Sequence, residues 1–143
     1  VSHVEYLESF KLVLYAENNK SKLKKLDFSK NKKLRDIVIG QTKALKNIKF
    51  NNKCEYIYLK GTSIKSVNLK NLKELESFIY RDGPLEELDT SNNPNLESIK
   101  IADTNIKRLD VTKNPKLKYI IVDEGTQIIG PTKAKIEYNK RTE

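Results

Sequence analysis

One histidine, His3, and one cysteine, Cys54, are all that this chain offers to nucleophilic and histidine-ligated metal chemistry of the common kinds. A Ser-His-Asp arrangement or a histidine metal site would rest on a single residue near one end of the sequence. Cys54 stands where neighbouring segments carry Leu34, Leu75, Leu96 and Leu117, so it reads as a small buried hydrophobe, and a lone cysteine forms no internal disulfide. Asp27, Asp89 and Asp110 occupy matching places and could in principle hold calcium. Lys49 and Asn68 interrupt the row, and these carboxylates, like the adjacent pair Asp123 and Glu124, read as solvated surface. There is no Gly-rich phosphate loop, no H-E-x-x-H and no C-x-x-C. The expectation is a non-enzyme without metal or cofactor. The remaining chemistry is recognition. Tyr56, Tyr58, Ile79, Arg81, Tyr119 and Ile121, with Val38 and Lys60 at their margin, have the composition of a binding surface.

These residues share a face only if a repeat positions them. In Leu85–Leu117, LEELDTSNNPNLESIKIADTNIKRLDVTKNPKL, one motif recurs after 21 residues: Leu85 as Ile106, Leu88 as Leu109, Asn93 as Asn114, Pro94 as Pro115 and Leu96 as Leu117. A fixed period of this size means a solenoid. Each period has two halves of the form L-x-x-L-x-L. The first halves run Leu7-x-x-Phe10-x-Leu12, Leu34-x-x-Ile37-x-Ile39, Cys54-x-x-Ile57-x-Leu59, Leu75-x-x-Phe78-x-Tyr80, Leu96-x-x-Ile99-x-Ile101 and Leu117-x-x-Ile120-x-Val122. The return halves begin at Leu23, Leu45, Ile64, Leu85 and Ile106. Apolar residues two apart predict strands with one face buried, and stacking on the next repeat supplies that burial. Six first strands predict a sheet about 24 Å long. Corner residues Asn31, Asn93 and Asn114, and Thr42, Thr62 and Thr104 in the other half, are placed to satisfy turn backbone groups.

The outward positions of the two halves differ. On the return strands they are all polar, among them Lys25, Asp27, Asn47, Lys49, Asn51, Glu87, Asp89, Arg108 and Asp110. On the first strands the central column reads Lys11, Val38, Tyr58, Ile79, Lys100, Ile121, the column before it Ser9, Asp36, Tyr56, Ser77, Ser98, Tyr119, and the column after it Val13, Gly40, Lys60, Arg81, Ala102, Asp123. Cross-strand packing among β-branched and aromatic residues could also account for the apolar ones, and a dimer through this patch is a third reading.

The net charge of +9 is compatible with an anionic partner such as a cell-wall polymer, a glycosaminoglycan or nucleic acid. Lysines occur in all repeats, with no block of five or six like charges and no Arg-rich segment. No apolar run approaches the roughly 20 residues of a membrane span, and VSHVEYLESF has neither the basic start nor the apolar stretch of a signal peptide.

The segments LKKLDFSKN, LEELDTSNN and IKRLDVTKN resemble the 21-residue bacterial leucine-rich repeat, whose return half reads L-x-x-L-D-V-S-x-N. The resemblance covers about residues 4 to 128, with Val67-Asn68-Leu69-Lys70 and Ile48-Lys49-Phe50-Asn51 departing from the pattern. It extends to internalin-like secreted and surface proteins. It implies a mainly β solenoid, a right-handed superhelix with a parallel sheet on the concave face and short extended or 3-10 segments on the convex side. It also implies no catalysis, a protein partner met on the concave face, and an extracellular or cell-surface setting. The expected organisation is one domain over 1–143: an N-terminal cap and first strand in 1–22, repeats in 23–122, and a C-terminal cap or tail in 123–143. A monomer or weak homodimer is expected.

Overall fold

The computed structural model describes residues 11–16 and 21–141. It contains eleven strands: β1 (Lys11–Tyr15), β2 (Lys25–Asp27), β3 (Asp36–Thr42), β4 (Asn47–Lys49), β5 (Tyr56–Thr62), β6 (Ser77–Arg81), β7 (Ser98–Ala102), β8 (Arg108–Asp110), β9 (Tyr119–Asp123), β10 (Gln127–Ile129) and β11 (Lys135–Asn139). No helix occurs among the described residues. Seven strands form one parallel sheet in the order β1-β3-β5-β6-β7-β9-β11; β2 pairs with β4, and β8 with β10, on the return side. The chain is thus a parallel β-solenoid with one long sheet and two short ones.

Alternation builds the core. In β5 the inward Ile57 and Leu59 are fully buried, and Ile37 and Ile39, Phe78 and Tyr80, Ile99 and Ile101, and Ile120 and Val122 stack on the same columns. With return residues such as Ile64, Leu85, Ile106 and Leu109 they fill one continuous core. Each fully buried aliphatic side chain contributes about 1.5–3 kcal/mol, so a coil with six of them is driven to stack on its neighbour. Cys54 is buried among them, and burial pushes its thiol up to about 12. The chain leaves the long sheet through a left-handed residue in each of four coils: Gln41, Gly61, Asp82 and Asp103 all have φ between 54° and 67°.

The first-strand register differs from the sequence expectation. Lys11 pairs with Asp36, Leu12 with Ile37, Val13 with Val38, Leu14 with Ile39 and Tyr15 with Gly40. The motif alignment puts Leu12 opposite Ile39 instead. A slip of two residues keeps every side chain on its face, so period-2 patterning alone does not detect it. Leu7, Ser9 and Phe10 lie outside the described residues. The return halves at 64–69 and 85–90 also depart from expectation: they follow the path without forming a strand ladder, joined by the Glu86 N–H to Lys65 carbonyl bond at 3.0 Å.

Asparagines link the turns. Asn93 Nδ2 donates to the carbonyls of Leu69 and Leu72, and Asn114 Nδ2 to those of Thr90 and Asn93, all at 2.8–2.9 Å. Asn51 does the same toward Asn31 and Leu34. Asn51 is therefore not the outward residue that patterning expects but a buried one; its coil is two residues shorter, which brings it to the corner. Leu72 takes the asparagine place in the coil between and breaks the ladder. Thr90, polar at an inward position, is buried because its hydroxyl donates to Asn114 Oδ1 at 2.8 Å. The equivalent residue one coil earlier is Leu69, which leaves Asn93 Oδ1 without a partner.

Beyond Val122, β10 stacks on β8 and β11 on β9. Asp123, in sequence terms a solvated surface acid, is 2% exposed. Its carboxylate accepts from the N–H groups of Asp103 (2.8 Å) and Thr104 (3.0 Å) and from Asn139 Nδ2 (2.9 Å), and it pairs with Arg141 at 3.5 Å. Burial raises its pKa, but Asn139, the two N–H groups and Arg141 outweigh burial and hold it below the ordinary value. A depressed carboxylate stabilises the fold above its unfolded pKa and loses that contribution as pH falls through the lower folded value. Asp123→Ala is expected to free β11 at neutral pH, with faster amide exchange across 135–139 and little change in β5 or β6. Unchanged exchange there would show that the carboxylate does not hold the last coil.

Candidate binding face

The long sheet carries three outward columns. The central one reads Val13, Val38, Tyr58, Ile79, Lys100, Ile121 and Glu137. The column before it contains Asp36, Tyr56, Ser77, Ser98 and Tyr119; the one after it Tyr15, Gly40, Lys60, Arg81 and Ala102. Val38, Tyr56, Tyr58, Lys60, Ile79 and Arg81 are contiguous on β3, β5 and β6. Tyr119 and Ile121 lie on β9, beyond Ser98 and Lys100 of β7. The expected set thus forms two apolar areas on one face, with Lys100 between them.

Two residues that the sequence argument did not select join the larger area. Tyr15 and Val13 are about half exposed. The Tyr15 ring lies over Gly40, where a Cβ would collide with it, and its phenol neighbours that of Tyr58. Gly40 marks the place: an outward glycine amid bulkier residues signals that a neighbouring ring crosses the backbone. Burial, and then nearby phenols, raise the pKa of Tyr15 and Tyr56, so both stay neutral donors and acceptors at physiological pH. Ile79 belongs to this face but is only 8% exposed, so most of its apolar area already packs against its neighbours. At the rim, Arg81 is exposed and Lys60 approaches Asp82 at 4.0 Å. Tyr119 and Ile121, with Lys100, Lys135 and Glu137, line a smaller open groove of about 220 Å³.

The return strands, among the described residues, carry polar residues outward except Ile129, which pairs with Asp110. Asp27, Asp89 and Asp110 are exposed, and each accepts the N–H of the residue two positions on, Ser29, Ser91 or Thr112, at 2.9 Å. The hydroxyls of those residues, followed by these N–H groups, hold all three carboxyls below the ordinary range. Asn68 makes the same turn toward Lys70, which shows that the departure from the L-D-V-S pattern at 67–70 preserves the geometry. Among the described residues no group of three His, Cys, Asp or Glu could hold a metal ion, and no helix is long and apolar enough to cross a membrane.

Stacked L-x-x-L-x-L coils, a continuous parallel sheet and asparagine-linked turns define a leucine-rich repeat solenoid. Among solved structures, the chain is similar to the functional domain of InlJ from Listeria monocytogenes, described as including a cysteine ladder. The TM-score is 0.54 and the identity 21%; the match covers 85% of this chain and 30% of that one. No family model matches the sequence, and no curated protein does. The likeness is one of fold. Where that protein has a ladder of cysteines, this chain has Cys54 alone, in a column otherwise filled by leucine.

Proposed function

We propose that this chain is a non-catalytic leucine-rich repeat module that binds a protein partner through its long sheet. We further propose that it works as a monomer or weak homodimer in a secreted or cell-surface protein, with residues 123–143 closing the solenoid. The observation that carries the binding reading is the run Val13, Val38, Tyr58 and Ile79 across four adjacent strands, flanked by Tyr15, Tyr56 and Arg81, on a molecule whose return strands, among the described residues, present polar residues outward except Ile129 on β10. Soluble domains rarely leave contiguous apolar and aromatic surface without a use, and tyrosine with arginine is the usual anchor composition.

The test replaces the exposed Tyr119 and the half-buried Tyr58 and leaves the covered Ile79 alone. Ile79 is unsuitable because its loss would open a packed site. Tyr58→Ala with Tyr119→Ala is expected to keep the melting temperature within a few degrees and to abolish retention of a partner captured from cell-envelope or host extracts at both low and high salt. Equal retention by the folded double variant would remove this face from consideration.

A further inference from the structure

The positive charge is not distributed as the lysines are. Residues 1–72 hold 16 Lys and Arg against 6 Asp and Glu, a net +10; residues 73–143 hold 12 against 13, a net −1. The whole excess belongs to the first half, because the acidic residues collect in the second.

The fold concentrates that excess on the return side. Lys24 and Lys46 stack in adjacent coils, the Lys46 N–H bonding to the Lys24 carbonyl at 2.8 Å, and Lys65 follows in the next coil. Beside them, Lys25 and Lys49 point outward from β2 and β4, and Lys22 precedes β2. All six are exposed, and no ion pair shorter than 4.0 Å among the described residues engages them. Among the described residues that line this place the one carboxylate, Asp27, lies opposite Lys49 and is already engaged by Ser29. In the fourth coil the column turns acidic at Glu86 and Glu87. Lysines in neighbouring coils are separated by about 4.8 Å of backbone, well inside the ~8 Å screening length at physiological salt. Their repulsion opposes stacking, and a bound polyanion would relieve it.

The same place has an open groove of about 760 Å³, lined by Leu23, Leu26 and Ile48 as well as by lysines. No aromatic residue and no arginine is among the described residues that line it. Those residues offer neither the rings that stack nucleobases nor the planar fork that grips phosphate in two places. Ammonium groups over an aliphatic floor suit a linear chain of anionic sugars.

We propose that the groove along β2 and β4 binds a linear anionic polysaccharide. The site lies on the opposite side of the coils from the tyrosine face and does not depend on it.

The experiment measures binding of a fluorescent heparin oligosaccharide across a salt series, beside an oligo-dT of matched charge. Lys24→Glu/Lys25→Glu/Lys49→Glu, three lysines of the groove lining, is compared with Lys107→Glu/Lys113→Glu/Lys133→Glu, which changes net charge equally in the other half. The first variant is expected to weaken heparin binding about tenfold or more and to flatten its salt dependence, while the second changes it little. The wild type should prefer heparin to oligo-dT. Equal losses in the two variants would mean that net charge alone attracts the polymer, and would overturn the site. Oligo-dT bound as tightly as heparin would overturn the polysaccharide assignment, and absence of heparin binding would overturn both. Tyr58→Ala/Tyr119→Ala should bind heparin as the wild type does, so failure of one reading leaves the other intact.

Discussion

Gly83→Thr is expected to be strongly destabilising alone and much less so when Tyr80 is replaced by Ile, the remaining cost being the close approach to the Thr62 carbonyl. The other coils pair an aliphatic residue with a threonine three positions on: Leu59 with Thr62, Ile101 with Thr104. Here the pair is Tyr80 with Gly83. The Tyr80 hydroxyl donates to the Ile64 carbonyl at 2.6 Å, accepts from Thr62 Oγ1 at 3.4 Å, and occupies the volume that a Cβ at 83 would need. Gly83 has no left-handed φ, so its smallness and not its backbone freedom is what the site uses. A threonine there must displace a fully buried ring, at a cost of about 3 kcal/mol. Tyr80→Ile alone opens a hole and leaves the Ile64 carbonyl without its donor, about 2–3 kcal/mol. Together they recreate the neighbouring coils, and a double-mutant cycle read by denaturant unfolding should give a coupling of about 2 kcal/mol or more in favour of the pair. Additive losses would show that the two positions do not compensate each other.

Asn114→Ala is expected to cost about 3 kcal/mol or more, against less than about 0.5 kcal/mol for Asn92→Ala at the exposed neighbouring corner. The buried Asn114 side chain serves three partners, the carbonyls of Thr90 and Asn93 and the hydroxyl of Thr90, and its removal leaves each with one longer bond, to the Asn93 N–H, the Leu96 N–H and the Asp110 carbonyl respectively, beside an emptied corner. Asn114→Asp separates hydrogen bonding from shape. It keeps the volume but turns an acceptor toward two carbonyls. Burial and those carbonyls would raise the new carboxyl's pKa, so this variant's deficit should be smallest below the unfolded value and grow as pH rises through the folded one. Thermal melts between pH 4 and 8 read this out; a deficit independent of pH would sink the donor argument.

Patterning conveys some of these details and misses others. The 21-residue period and the alternation of Ile57 and Leu59, or Ile99 and Ile101, suffice to place the coils and the inward columns, because apolar burial outweighs the other contributions to folding and it repeats. Asn51 is not legible as a ladder residue, since a two-residue deletion moves the corner and only the folded turn shows where it falls. Asp123 looks like any outward acid; the groups that bury it come from Asp103, Thr104, Asn139 and Arg141, up to 20 residues away in sequence. Tyr15 escapes detection through a register slip that leaves polarity unchanged. The tyrosine face is legible in part: Tyr56 and Tyr58 follow directly from the columns, whereas the near-complete covering of Ile79 depends on the sizes of its neighbours on three strands.

The break at Leu72 falls in the same stretch where the return side lacks strand pairing. The long sheet runs unbroken through seven strands, but the opposite wall is laddered only at β2–β4 and β8–β10. A beam reinforced along one flange throughout, and along the other only near its ends, bends where the second flange is missing. The compliant section is the third and fourth coils, whose long-sheet strands, β5 and β6, carry Tyr58 and Ile79. Flexing there would change the sheet's curvature under the apolar column itself, and faster amide exchange across 64–90 than in β2, β4, β8 and β10 is the expected sign of it.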